Sequence, residues 1–131
     1  MLIKMRFLGI DYGSKKIGLA ISDETGRFAM PWLVISTYQK AIEEIAKICQ
    51  MEEIDLIVLG QSLDYQNNPN LLMDKLEKFK QQLEEATKLK VEYENEVLTT
   101  KEAERVIGRD KQTDARAAAL ILKSYIDRHA G

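Results

Sequence analysis

Three acidic residues stand where a carboxylate could do chemistry. Asp11 ends the apolar run RFLGIDY at residues 6–12. Its backbone is expected in a buried strand, with its side chain at the carboxyl edge of a sheet, where open α/β sheets collect ligands. Gly9 and Gly13 leave little side-chain bulk beside it. A strand-end aspartate that only caps the turn at Gly13 and Ser14 is the plain alternative. Glu96 closes Val91-Glu92-Tyr93-Glu94-Asn95-Glu96, where alternation puts the three glutamates on one face. Glu92 and Glu94, earlier in the strand, are expected to be solvated. Glu96 lies at the carboxyl end, and shares an edge with Asp11 if the two strands are parallel; otherwise it is an ordinary edge glutamate. Asp114 opens the last helical segment, where unpaired amides and the helix dipole favour a carboxylate. Helix phase adds to that role, because Asp114, Ala118, Ile121 and Tyr125 follow an i, i+4, i+7, i+11 series, the stripe that faces a core.

Three carboxylates gathered at one point repel each other, and a buried unpaired charge is expensive. A hard divalent cation, Mg²⁺ or Mn²⁺, removes that repulsion and takes oxygen ligands. Metal ions in such a cluster can hold a phosphodiester and activate water. Other chemistries find little support. Cys49 lies on the apolar stripe of a helix, and the single histidine, His129, is two residues from the end of the chain. Neither a zinc pattern nor a Ser/His/Asp triad is present. Around the acids, Lys15 and Lys16 follow Asp11, while Arg105, Arg109, Lys111 and Arg116 surround the approach to Asp114. These six are expected to form a rim that holds phosphates, although charges needed only for solubility read the same way. Tyr12 and Tyr65 could stack on bases, but packing on neighbours explains them equally well.

The elements that must position these groups follow from hydrophobic period. Residues 6–12 and 17–22 are apolar runs separated by a short link, and Asp23-Glu24-Thr25-Gly26 reads as a turn. Residues 28–36 form a third strand, in which Pro31 marks an edge or a bulge. This is an antiparallel meander. The period then changes: Ala41, Ile42, Ile45, Ala46, Ile48 and Cys49 trace a helix over 38–51. Leu56-Ile57-Val58-Leu59-Gly60 reads as a strand buried on both faces, and an Asn-rich loop over 61–70 is the expected mobile segment. A helix over 71–87 follows, with Leu72, Leu76, Phe79 and Leu83 on one face. Then come a strand over 90–96, a short helix over 98–107 started by a Thr99/Glu102 capping box, and a last helix from Asp114 to His129. The expected architecture is α/β: a mixed five-stranded sheet, three antiparallel strands then two parallel to the first, with helices on both faces.

Composition sets the bounds. A chain of 131 residues predicts one domain, residues 1–131, with 45% hydrophobic and 31% charged residues as in an ordinary globular protein. No apolar run approaches the roughly 20 residues of a membrane span, and the N-terminus lacks a signal peptide's core. With one cysteine, the expected compartment is the reducing cytoplasm. A net charge of −2 argues against a generic nucleic-acid coat. It is compatible with a nuclease whose acids hold metal, and residues 101–131 carry seven basic against five acidic groups.

Leu8-Gly9-Ile10-Asp11-Tyr12-Gly13-Ser14-Lys15-Lys16-Ile17-Gly18-Leu19-Ala20-Ile21-Ser22-Asp23 resembles the opening signature of the YqgF (RuvX) family of Holliday junction resolvases or pre-16S ribosomal RNA nucleases. Ile57-Val58-Leu59-Gly60, Glu96 with Leu98-Thr99-Thr100, and Thr113-Asp114-Ala115-Arg116-Ala117-Ala118-Ala119 resemble its later motifs, in order. The resemblance implies an RNase H-like fold, catalytic and metal-binding Asp11, Glu96 and Asp114, and a nucleic-acid substrate. That substrate is precursor ribosomal RNA or, alternatively, branched DNA, whose cleavage needs two sites and hence a homodimer. Asn95 and Val97 stand where the family usually has an acid and an arginine, and Gln61-Ser62 where it has Leu-Pro. These departures bear on substrate contacts and turnover, and leave a third reading, a weakly active member that binds nucleic acid. A likeness of Asp11-x-Gly13 to the phosphate loop of actin-like ATPases is set aside, because those enzymes need a second lobe.

Overall fold

The computed structural model describes residues 5–13, 15–37, 39–62, 69–96 and 115–129, with the backbone alone at 62, 69–73 and 96. The element order is β1 (Phe7–Tyr12), β2 (Lys16–Ser22), β3 (Ala29–Ser36), α1 (Ala41–Met51), β4 (Leu56–Ser62), α2 (Pro69–Thr87), β5 (Val91–Glu96) and α3 (Ala115–His129). The strands form one sheet in the order β3-β2-β1-β4-β5. β1, β2 and β3 are an antiparallel meander, and β1, β4 and β5 are mutually parallel. The expected mixed topology is therefore the observed one. β4 runs two residues past Gly60 and α2 starts at Pro69, so both elements reach into the segment expected to be a loop. The expected helix over 98–107 and its capping box lie outside the described residues.

Each face of the sheet has its own core. Leu8, Ile10, Ile17, Leu19, Ile57, Leu59 and Val91 pack against Ala41, Ile45 and Cys49 of α1 and Leu76, Phe79 and Leu83 of α2. On the opposite face Ala20, Leu56 and Val58 meet Ala118, Ile121, Leu122, Tyr125 and Ile126 of α3. The apolar run of β4 serves both layers, which is why it does not alternate. β3 is an edge strand, and its register against β2 shifts where Ala20 faces Pro31 and Leu19 faces Leu33. Trp32 is the extra residue, so the proline sits at a bulge where a missing amide does little harm.

The turn after β2 is built as its residues imply. Gly26 adopts φ 72°, and a Cβ there would lie 2.8 Å from the Met5 carbonyl. The Asp23 carboxylate accepts hydrogen bonds from the amides of Thr25, Arg27 and Phe28 and from the Thr25 hydroxyl. Desolvation pushes this carboxyl up, but those donors outweigh it and hold it down at about 2. Among the described residues, no helix is long and apolar enough to cross a membrane.

Candidate active site

Asp11 is the next-to-last residue of β1 and is half-buried. Its face is set by its neighbours at alternate positions. The Phe7 ring meets Tyr125 edge-on at 5.8 Å, and Gly9 lies directly under α3. Asp11 therefore faces the α3 side. A Cβ at Gly9 would stand 2.8 Å from Leu122 Cβ and 3.0 Å from the Ala118 carbonyl oxygen. Gly9 is thus required for the close approach of the helix, a different role from sparing bulk beside the carboxylate. The same contacts orient α3. Tyr125 stands over Phe7, and Ala118 and Leu122 over Gly9, so the helix runs back along β1. Its first residue, Ala115, is directed toward the strand end that carries Asp11.

The turn after β1 is closed from two sides. The Gly13 amide donates to the Lys16 carbonyl at 2.9 Å. From the loop after β3, the Thr37 amide donates to the Lys15 carbonyl and the Thr37 hydroxyl to the Gly13 carbonyl, each at 2.9 Å. These bonds hold the turn while leaving Lys15 and Lys16 exposed to solvent. Thr37 was not expected as a positioning residue, since no sequence pattern links it to a turn 24 residues earlier. Tyr12 packs on the Phe79 ring at 4.3 Å, the neighbour-packing alternative for that residue. Arg116 is exposed near the start of α3. Arg105, Arg109, Lys111, Asp114 and Tyr65 lie outside the described residues.

Glu96 ends β5, with its backbone paired to Ser62. The register of the parallel strands locates it relative to Asp11. Ile10 pairs with Leu59, so Asp11 is level with Gly60, whose partner on β5 is Glu94. Asp11 and Glu94 are separated by two strand spacings, roughly 10 Å, and Glu96 lies one further repeat, roughly 7 Å, along β5. Between them Gly60 contributes no side chain.

The expectation that Glu92 and Glu94 are solvated is corrected. Glu94 is 2% exposed. Its carboxylate accepts a hydrogen bond from Ser124 Oγ at 2.7 Å and contacts Arg128 Nη1 at 3.2 and 3.3 Å. Glu92 is half-buried and accepts from the Tyr125 hydroxyl at 2.9 Å. Burial raises the Tyr125 phenol to about 12, together with the Glu92 hydrogen bond and the charges of Glu92 and Glu94, against the lowering effect of Arg128. Alternation identified the shared face of these glutamates, but only the packing of α3 across β5 removes that face from water. A signal was present in the spacing of Ser124 and Arg128, which at i, i+4 share one side of a helix.

Donor chemistry limits which ion could bind. Cys49 is buried in the α1 core, and burial pushes its thiol up to about 12, so it is no thiolate ligand. The His129 ring stacks on Tyr125 at 4.0 Å, and its Nδ1 lies 2.9 Å from the Tyr125 carbonyl oxygen. Among the described residues no three His, Cys, Asp or Glu groups are gathered as a metal cluster. Of the expected trio, only the Asp11 side chain is among them. The expected ligands are carboxylates alone, which suits a hard cation and not zinc.

The comparisons with known proteins agree in direction. The RuvX family model, described as Holliday junction resolvase, matches residues 5–128. A protein of Protochlamydia amoebophila, named as a candidate pre-16S rRNA nuclease, is 35% identical, covering 93% of each chain. One from Syntrophus aciditrophicus with the same name is 34% identical over 94% of this chain and 89% of its own. Among solved structures, Thermus thermophilus RuvC in complex with Holliday junction substrate has a TM-score of 0.63 at 17% identity, covering 97% of this chain and 96% of that one. The fowlpox virus Holliday junction resolvase has a TM-score of 0.53 at 15% identity, covering 95% and 99%. These structural likenesses establish the RNase H-like fold.

Proposed function

The chain belongs to the RuvX family of nucleases, and from that premise we propose that it is a metal-dependent phosphodiester hydrolase that processes precursor 16S ribosomal RNA in the cytoplasm. The observation that carries the reading is the shared edge. Asp11 stands at the carboxyl end of β1, Glu96 ends the parallel strand β5, and the helix that follows Asp114 is directed along the same face toward Asp11. Asp11, Glu96 and Asp114 would hold the cation, Mg²⁺ or Mn²⁺, as an all-oxygen set. When bound, it supplies a Lewis acid for the phosphodiester and a more acidic water. Lys15, Lys16, Arg105, Arg109, Lys111 and Arg116 form the phosphate-holding rim, and the exposure of Lys15, Lys16 and Arg116 supports that role for three of them. The substrate class rests on the names of the relatives at 34–35% identity.

Cleavage of a four-way DNA junction is the second reading, favoured by the description of the family itself. It requires two sites and therefore a homodimer. One experiment separates the readings. The protein is incubated with Mg²⁺ or Mn²⁺ and labelled precursor ribosomal RNA, single-stranded RNA or a four-way junction, beside Asp11→Asn. Cleavage of the precursor that disappears in the variant supports the first reading. Cleavage of the junction alone supports the second. Intact substrates throughout refute both and favour binding without catalysis.

A further inference from the structure

The turn between β1 and β2 carries two exposed cations, Lys15 and Lys16, and strand pairing places the second of them beside Asp11. Asp11 pairs with Gly18 across the antiparallel strands, so Lys16, two residues earlier in β2, shares the face of Asp11. Ile17 and Leu19, at the alternate positions, are buried in the opposite core. Gly18 puts no side chain between the acid and the lysine. Their backbones are one strand spacing and one strand repeat apart, roughly 8 Å. Three described bonds hold the turn, and they differ in what they need from the sequence. The Gly13 amide donates to the Lys16 carbonyl, and the Thr37 amide to the Lys15 carbonyl. Any residue but proline supplies such an amide. The third bond runs from the Thr37 hydroxyl to the Gly13 carbonyl at 2.9 Å, and it needs a hydroxyl close to the backbone. Its acceptor belongs to a glycine, the residue with the widest choice of backbone conformations. A restraint from outside the turn therefore acts where the turn is intrinsically loosest. Thr37 is half-buried and follows Ser36, which pairs with Lys16. Through this hydroxyl the ends of β1, β2 and β3 are joined at one corner of the sheet.

We propose that Thr37 is a positioning residue for substrate affinity: its hydroxyl, on the Gly13 carbonyl, holds the β1–β2 turn in the form that presents Lys15 and Lys16 to the phosphates of a single-stranded nucleic acid. The inference rests on the phosphate-holding rim of the proposed function and does not involve the metal. Its test is the binding of fluorescein-labelled single-stranded RNA in EDTA at low salt, read by anisotropy, with thermal melting alongside. Thr37→Ala keeps the amide bond and loses the hydroxyl, whereas Thr37→Ser keeps both. A neutral hydrogen bond is worth a factor of about five in an equilibrium, so Thr37→Ala is expected to bind about fivefold more weakly and Thr37→Ser within about twofold of wild type. In the Lys15→Ala/Lys16→Ala background the same change is expected to cost less than about twofold, because the groups it positions are gone. In cleavage assays of Thr37→Ala with metal, KM for RNA rises while kcat stays within about twofold. A merely structural residue would weaken binding equally in both backgrounds. Wild-type affinity in Thr37→Ala, or an equal loss in the two backgrounds, overturns the proposal. Should Thr37→Ala melt far below wild type, Thr37→Val, which keeps the side-chain volume, decides on the same comparison. The lysine variant separates the two ideas. If it binds RNA like wild type, the rim itself is wrong at these positions. If it binds weakly while Thr37→Ala matches wild type, the rim stands and the Thr37 inference alone fails.

Discussion

Gly9→Ala puts the contact between β1 and α3 to a direct test. A Cβ at this position would stand 2.8 Å from Leu122 Cβ and 3.0 Å from the Ala118 carbonyl oxygen. Ordinary carbon–carbon contact lies near 3.5–4.0 Å, so the helix must lift by roughly an ångström. Overpacking of that kind costs about 1–3 kcal/mol, and the lower chain entropy of alanine returns about 0.4–1 kcal/mol. The net loss is about 1–2 kcal/mol, or a fall in Tm of roughly 4–8 °C for a chain of this length. Thermal melting by circular dichroism reads it. Leu122→Ala is the informative partner. It keeps the Cβ that clashes and the backbone oxygen of Ala118, so it cannot relieve the strain and the double variant melts below both single ones. Under the proposed function, cleavage also falls, because the helix that lifts is the one Asp114 precedes. A Gly9→Ala protein that melts at or above wild type, or that Leu122→Ala rescues, would refute the close-approach argument.

Three further outcomes are expected. Under the proposed function, Asp11→Asn abolishes metal-dependent cleavage; a cleavage assay reads it, beside a melt that checks that the variant is folded. Lys15→Ala and Lys16→Ala each flatten the dependence of log affinity on log salt by about 0.7 for a single-stranded substrate, measured by fluorescence anisotropy at several salt concentrations. Unchanged slopes would remove those lysines from the rim. Asp23→Ala costs about 1 kcal/mol at neutral pH, after discounting for solvent around a half-buried turn. The folded carboxyl sits at about 2, below its ordinary 3.8, so its contribution is full above about pH 4 and is lost as pH falls through 2. Wild type and Asp23→Ala should therefore converge in acid denaturation below that window.

How much of this molecule could be read without coordinates depends on the range of the interaction concerned. Period alone located β1, β2, β4, β5, α1 and α3 to within a few residues, because exposure alternates every two residues in a strand and every three to four in a helix. The turn at residues 23–26 was legible because Gly26 and Asp23 act on their own backbone neighbourhood. Pro31 announced the bulge of β3 for the same local reason. Asp11 was legible as a candidate because an acid closing a buried strand departs from the pattern around it. Glu94 and Gly9 were not. Their roles depend on which helix crosses which strand, and at what height. Ser124 and Arg128 are 30 and 34 residues from Glu94, and Leu122 is farther still from Gly9. Local sequence specifies conformation through steric and hydrogen-bonding terms that reach a few residues along the chain. Whether a face of a strand meets water or a helix is decided by packing between distant segments. That packing alone turned one glutamate of an alternating series into a buried anchor, and one glycine into the seat of a helix.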